Sequence, residues 1–150
     1  MKIKNIIVNV VVFNGKKILI AKRSMQKTHA KGFWTIPGGK MEIKKGDEWG
    51  VLEETAHREV LEETGIEIHD DLMLLCNNIF IRDDNNTASL AITFVAAYKS
   101  GDVATSSETT QVEWISKNEM QNYTFAPNVR NYIDLAYIKS SKNVSKTPRF

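Results

Sequence analysis

The sequence predicts an α+β or α/β sandwich built on a mixed β-sheet. Three observations carry that expectation: β-branched apolar stretches open the chain, one long helical segment interrupts them, and further strands lead into a final helix. At 150 residues the chain suits one domain. Its 42% hydrophobic and 25% charged residues are those of a protein with a packed core.

Ile6–Phe13 and Ile18–Arg23 flank Asn14-Gly15, a strong hairpin signal, and read as two paired strands. Ser24–Gly32 is polar and basic, carrying Lys27, His29 and Lys31, and reads as a plain basic loop, with steering of an anionic ligand by Lys27 and Lys31 the alternative. Phe33–Ile36 resumes a short strand that Pro37 should stop, and Gly38-Gly39 predict a sharp turn. Asp47–Thr64 reads as a helix, with acids in its first turn and Gly65 at the C-terminal cap. Leu72–Arg82 and Ala88–Tyr98 flank Asp83-Asp84-Asn85-Asn86 and predict a second hairpin. Gln111–Ile115 forms a further strand, Ser116 is a candidate cap, and Ala126 or Pro127 through Ile138 has helical spacing. The domain is therefore expected over residues 1–138, followed by a basic, flexible tail over 139–150.

Charge and composition exclude several functions. The net charge of +2 arises in the tail, where Lys139, Lys142, Lys146 and Arg149 stand without an acid. The body lacks the basic stripe of a nucleic-acid binder. No apolar run approaches the roughly 20 residues of a membrane span, and the N-terminus has no signal-peptide pattern, so a cytoplasmic protein is expected. Cys76, the single cysteine, reads as a buried and inert thiol. His29, His57 and His69 lack metal-ligand spacing and read as solvated.

The helix carries the chemistry. Eight of the eighteen acids lie between Asp47 and Glu67, with Arg58 as the accompanying base. At 100° per residue, Glu59, Glu62 and Glu63 share an arc with Leu52, Thr55 and Ala56. An inward face that starts apolar and ends in carboxylates suits a hard divalent cation beside substrate phosphates. A salt-bridged surface helix is the alternative reading of the arc alone.

The stretch Gly39–Ile66 resembles the box of the Nudix hydrolases, G-x5-E-x7-R-E-U-x-E-E-x-G-U with U aliphatic. Its second half, Arg58-Glu59-Val60-Leu61-Glu62-Glu63-Thr64-Gly65-Ile66, fits at every position. Trp34-Thr35-Ile36-Pro37-Gly38-Gly39 and Glu113-Trp114-Ile115 extend the likeness over most of residues 5–138. The first half departs: Gly39 stands nineteen residues before Arg58 where the family has fourteen, and Gly50 falls where a glutamate belongs. Asp47 or Glu48 is the candidate replacement.

The resemblance implies a Nudix-like α/β/α sandwich. It also implies hydrolysis of a nucleoside diphosphate linked to another group, with Mg²⁺ or Mn²⁺ and an activated water. By position, Glu59, Glu62, Glu63 and the Gly39 carbonyl would hold the metal, and Arg58 would orient Glu59. Glu62, Glu63 or Glu108 is the candidate general base, Glu108 also being a candidate ligand. Arg23 resembles a phosphate-contacting position, and Trp34 stands as core or pocket wall able to stack on a base. Phe125-Ala126-Pro127-Asn128 is similar to a segment of the mutator-type triphosphatases in which an asparagine reads an oxidised purine; Asn128 can equally cap the last helix. The expected substrate is a nucleoside triphosphate, with 8-oxo-dGTP the leading case. The expected partners are this small molecule and, in a homodimer, a second copy. The alternative is a non-catalytic Nudix-fold nucleotide-binding or sensor module. A Nudix-fold isomerase would need a catalytic cysteine, which the apolar setting of Cys76 does not supply.

Overall fold

The computed structural model describes residues 1–25, 32–44, 46–81 and 86–144. The basic-loop residues Lys27, His29 and Lys31, the Asp83–Asn85 part of the second hairpin tip, and Lys146 and Arg149 lie outside them.

The element order is β1 (Lys2–Asn14), β2 (Lys17–Arg23), β3 (Trp34–Thr35), β4 (Gly38–Lys40), α1 (Val51–Thr64), β5 (Glu67–Ile68), β6 (Met73–Phe80), β7 (Thr87–Ser100), β8 (Thr109–Ile115), a 3₁₀ turn (Lys117–Asn122) and α2 (Val129–Val144). All eight strands join one mixed sheet. Both expected hairpins form: Phe13 opposes Ile18 between β1 and β2, and Leu74 opposes Phe94 between β6 and β7. The only parallel pairing described between strands is β1 with β7, running from Lys2 opposite Thr87 to Phe13 opposite Ala97.

β1 and β2 pair directly only near their turn. Beyond it, β1 receives β4 (Ile7 opposite Lys40, Asn9 opposite Gly38), while β2 receives β8 and β3. The divergence of the first two strands therefore delivers β4 to the centre of the sheet, beside α1.

Period-2 alternation on β1 explains the two-sided core. Val8, Val10 and Val12 pack with Leu19, Ala56, Val60, Ile66 and Phe94 on the α1 side. Val11 and Phe13 pack with Ile18, Ile20, Ile115, Tyr132, Ile133 and Ala136 on the α2 side. Both faces of β1 are buried, so Val10–Val12 reads as a continuous β-branched run. One helix on each face gives the expected α/β/α sandwich.

Four local expectations are corrected. α1 begins at Val51 rather than Asp47, because Gly50 adopts φ 66° and Glu48 instead accepts the Lys44 N–H at 3.1 Å. Its end is as expected, the Gly65 N–H closing on the Leu61 carbonyl at 2.9 Å. Gly38-Gly39 do not turn; they form β4, and their lack of a Cβ serves close approach instead. α2 begins at Val129, because residues 124–126 are drawn alongside β3: the Trp34 N–H donates to the Thr124 carbonyl and the Ala126 N–H to the Trp34 carbonyl. α2 also continues to Val144, past the Ile138 at which the apolar spacing ends. A packed helix extends by one hydrogen bond per residue without further apolar burial, and Lys139 Nζ ties that end to the Leu74 carbonyl at 2.8 Å.

Cys76 is only half-buried on β6, not fully buried as expected, and burial raises its thiol pKa. Among the described residues no helix is long and apolar enough to cross a membrane.

A Cβ on Gly38 would stand 2.5 Å from both the Val8 carbonyl oxygen and Asn9 Oδ1. The Val8 oxygen belongs to the backbone of the paired strand and cannot step aside. Gly38→Ala is expected to cost about 1–3 kcal/mol, read as a lowered Tm in thermal denaturation; an unchanged Tm would show that β4 is free to move.

Candidate active site

α1 runs over the backbone of β4, and their contact builds the site. Thr55, Ala56, Glu59, Val60, Glu63 and Thr64 form the buried side of the helix. Its N-terminal half meets the core, while Glu59 and Glu63 meet the two glycines. The Gly38 N–H donates to Glu63 Oε1 at 2.9 Å. A Cβ on Gly39 would lie 2.4–2.6 Å from the Glu59 carboxylate, so only glycine admits that group.

Carboxylate oxygens of Glu59, Glu63 and Glu108 lie within 4.8 Å of one another. Glu108 arrives on the turn before β8, which two hydrogen bonds fasten beside the helix. The Ser24 N–H donates to the Glu108 carbonyl at 2.9 Å, and Thr109 Oγ1 donates to the Glu63 carbonyl at 2.9 Å. Arg58 curls back over the same end, its Nη1 3.3 Å from Glu59 Oε1 and its Nη2 3.4 Å from the Lys40 carbonyl. The orienting contact expected between Arg58 and Glu59 is thus present.

Glu59 and Glu63 are only 8% and 5% exposed. Burial pushes Glu59 up to about 7, opposed by Arg58 and reinforced by the charges of Glu62, Glu108 and Glu42. Burial likewise pushes Glu63 up to about 8, opposed by the Gly38 N–H and Arg23 and reinforced by Glu59 and Glu108. Crowded, desolvated carboxylates of this kind form an all-oxygen donor set that fits a hard divalent cation, whose charge would offset their repulsion.

The cluster opens into a cleft of about 650 Å³. Arg23, Lys40 and Glu42 line it near the carboxylates; Phe80, Ile81, Ala126, Pro127 and Tyr132 give it an apolar wall, with Asn9 and Asn128 supplying amides. Tyr132 Oη donates to Asn78 Oδ1 at 2.6 Å, which ties α2 to β6 beside this wall.

The structure gathers Arg23, Gly39, Glu59, Glu63, Glu108 and Asn128 around one cleft. Two expected residues stand apart. Glu62 is exposed, because on a helix it lies about 60° from Glu59 and about 100° from Glu63 on the outer side. Trp34 does not line the cleft; it packs edge-on against Tyr123 at 4.9 Å between ring centroids. Asn128 directly precedes α2 with φ 72°, and its carbonyl accepts the Tyr132 N–H at 3.1 Å. His57 stands 3.5 Å from Asp70 and takes no part in the site. Glu42 was missed in the sequence because it lies between Gly39 and the expected acids of the longer loop, with no spacing signal of its own.

Residues 4–136 match the family model of the NUDIX domain. The chain belongs to the Nudix family. It is 31% identical over 130 residues to the uncharacterized Nudix hydrolase YvcI of Bacillus subtilis (strain 168), covering 85% of this chain and 76% of that protein. A MutT-like protein of Streptomyces ambofaciens is 31% identical over 115 residues, covering 76% of this chain and 64% of that one. In fold, the chain resembles a MutT NUDIX hydrolase from Burkholderia pseudomallei (TM-score 0.73, 20% identity, 90% of this chain and 98% of that chain). It also resembles the NUDIX domain of Shewanella oneidensis NrtR, solved with ADP ribose (TM-score 0.74, 20% identity, 93% and 90% covered). The protein is a Nudix pyrophosphohydrolase, of a family that acts on small nucleotide substrates with divalent metals.

The raised carboxylates set the sign of a pH dependence. With folded pKa values of about 7 and about 8 against 4.5 unfolded, the native state binds more protons between those limits. Stability of the metal-free protein is therefore expected to fall as pH rises from about 5 to 8. Millimolar Mg²⁺ is expected to restore much of it at the upper end, where deprotonated ligands bind metal best. Thermal melts across that range with Mg²⁺ or with EDTA read both effects; a metal-free Tm that rises with pH would contradict them.

Proposed function

We infer that the protein hydrolyses the pyrophosphate bond of a nucleoside triphosphate, with an oxidised precursor such as 8-oxo-dGTP as the leading substrate. The observation that carries this reading is the polarity of one cleft. Its carboxylate end suits a metal-bound polyphosphate, and its apolar, amide-bearing end suits a base.

Glu59, Glu63 and Glu108 would hold Mg²⁺ or Mn²⁺, joined by the Gly39 carbonyl, with Glu62 adding its charge beside Glu59 from outside the cleft lining. Bound there, the cation supplies charge neutralisation of the diphosphate and acidification of a water. The chain's own residues do the rest. Arg58 fixes the Glu59 carboxylate. The Gly38 N–H fixes Glu63. Arg23 reaches the phosphates from the end of β2, and Glu108 or Glu63 takes the proton of the attacking water. Asn128 presents its amide to the base. Trp34 acts as a positioning residue through its hydrogen bonds to residues 124 and 126 rather than by stacking.

A second reading, a nucleotide-binding sensor on the same fold, is favoured by one feature, the glycine at position 50 where the family box has a glutamate.

Incubation with Mg²⁺ and dNTPs, 8-oxo-dGTP, nucleoside diphosphate sugars and ADP-ribose, followed by mass spectrometry, tests both. A nucleoside monophosphate and pyrophosphate are expected from a triphosphate. Cleavage of ADP-ribose alone would replace the triphosphate reading, and tight binding without cleavage would favour the sensor. Glu63→Gln is expected to lower the rate at least about 100-fold by removing an anionic ligand; near-normal turnover would refute that role.

A further inference from the structure

The cleft holds one carboxylate that neither the box pattern nor the longer loop announces. Glu42 lines it together with Glu59, Glu63 and Glu108. The acids expected to replace the missing box glutamate do not: Asp47 and Glu48 are absent from the lining, and Glu48 Oε2 accepts the Lys44 N–H at 3.1 Å. Gly50, at the box position itself, has no side chain to offer.

Glu42 is held there from both sides. Strand pairing on β1 continues one residue past β4, where the Met41 N–H donates to the Ile6 carbonyl at 2.9 Å. Two residues further on, Lys44 is fixed by Glu48 through its N–H and by Glu54 through Nζ at 2.6 Å. Glu42 therefore sits between two anchors at the rim of the cleft, whereas Asp47 and Glu48 lie beyond the second anchor.

We propose that Glu42 supplies the loop carboxylate of the divalent-cation site, in the place the box glutamate would hold. An exposed carboxylate there adds a negative charge without the desolvation that Glu59 and Glu63 undergo. Its oxygens lie outside the Glu59–Glu63–Glu108 cluster, so it would act on the site through its charge, which already reaches Glu59, and through hydrogen bonds to the groups that hold the cation. The inference rests on the metal-site reading above, and its test separates the two.

Mn²⁺ is titrated into the full chain and free Mn²⁺ is followed by electron paramagnetic resonance, for the parent protein and for Glu42→Gln, Asp47→Asn, Glu48→Gln and Glu63→Gln. Glutamine at 48 keeps an acceptor for the Lys44 N–H, so that variant preserves the loop. Glu42→Gln is expected to weaken Mn²⁺ binding about tenfold, while Asp47→Asn and Glu48→Gln stay within about twofold; Glu42 is exposed, so circular dichroism and Tm should match the parent. Unchanged affinity in Glu42→Gln alongside weakened binding in Glu63→Gln would overturn the role of Glu42 alone. Equal weakening in the Glu42, Asp47 and Glu48 variants would reduce it to general loop charge and overturn it too. Unchanged affinity in Glu63→Gln would remove the metal-site reading, and Glu42 with it.

Discussion

The contact between the β4 backbone and the α1 carboxylates is the constraint on which the site depends. Gly38 gives its N–H to Glu63, and Gly39 leaves the space that Glu59 occupies. A side chain at either glycine would separate helix from strand, and the two acids would no longer converge with Glu108. The splay of β1 from β2 exists to the same effect, since it opens the position on β1 that β4 fills. Sheet topology and acid geometry are one arrangement.

That arrangement opposes stability. Two glutamates are buried close together with pKa values raised by desolvation, which costs free energy at neutral pH. The rest of α1 offsets the cost. Ala56 and Val60 are fully buried against Val8, Val10 and Val12, and Gly65 closes the helix on the Leu61 carbonyl. The helix is anchored by its apolar half and carries the desolvated carboxylates in its acidic half, so packing at one end offsets the cost of burial at the other.

Much of this was legible because local and long-range signals agreed. The valines of β1, the Asn14-Gly15 turn and the Gly65 cap each have a single sensible structural reading, and the helical arc correctly joined Glu59 and Glu63 to Thr55 and Ala56. What escaped the sequence was decided by contacts distant along the chain. Gly38-Gly39 look like a turn unless one knows that β1 and α1 press on them from two sides. Glu62 lies on the margin of the arc, and a margin cannot be assigned inward or outward without the neighbouring strand. Trp34 was drawn away from the cleft by pairing with residues 124–126, which carry no strand signal of their own. Glu108 was identified by resemblance rather than pattern, because the bonds that fix it come from Ser24 and Thr109.

The longer loop ahead of α1 shows why the second half of the box holds its pattern while the first does not. Glu59 and Glu63 are placed by helix geometry and by β4, both independent of how the chain travels from Lys40 to Val51. Extending such a loop by a few residues adds only about 0.3–0.6 kcal/mol of closure entropy, since the cost grows with the logarithm of length. The Lys44–Glu54 ion pair and the Glu48 hydrogen bond shorten the free span further by tying the loop to itself and to the helix. The buried carboxylates therefore tolerate no shift of register, whereas the carboxylate contributed from the loop can come from any residue that an anchor holds at the rim. Position in the sequence identifies the first kind of residue; only the folded chain identifies the second.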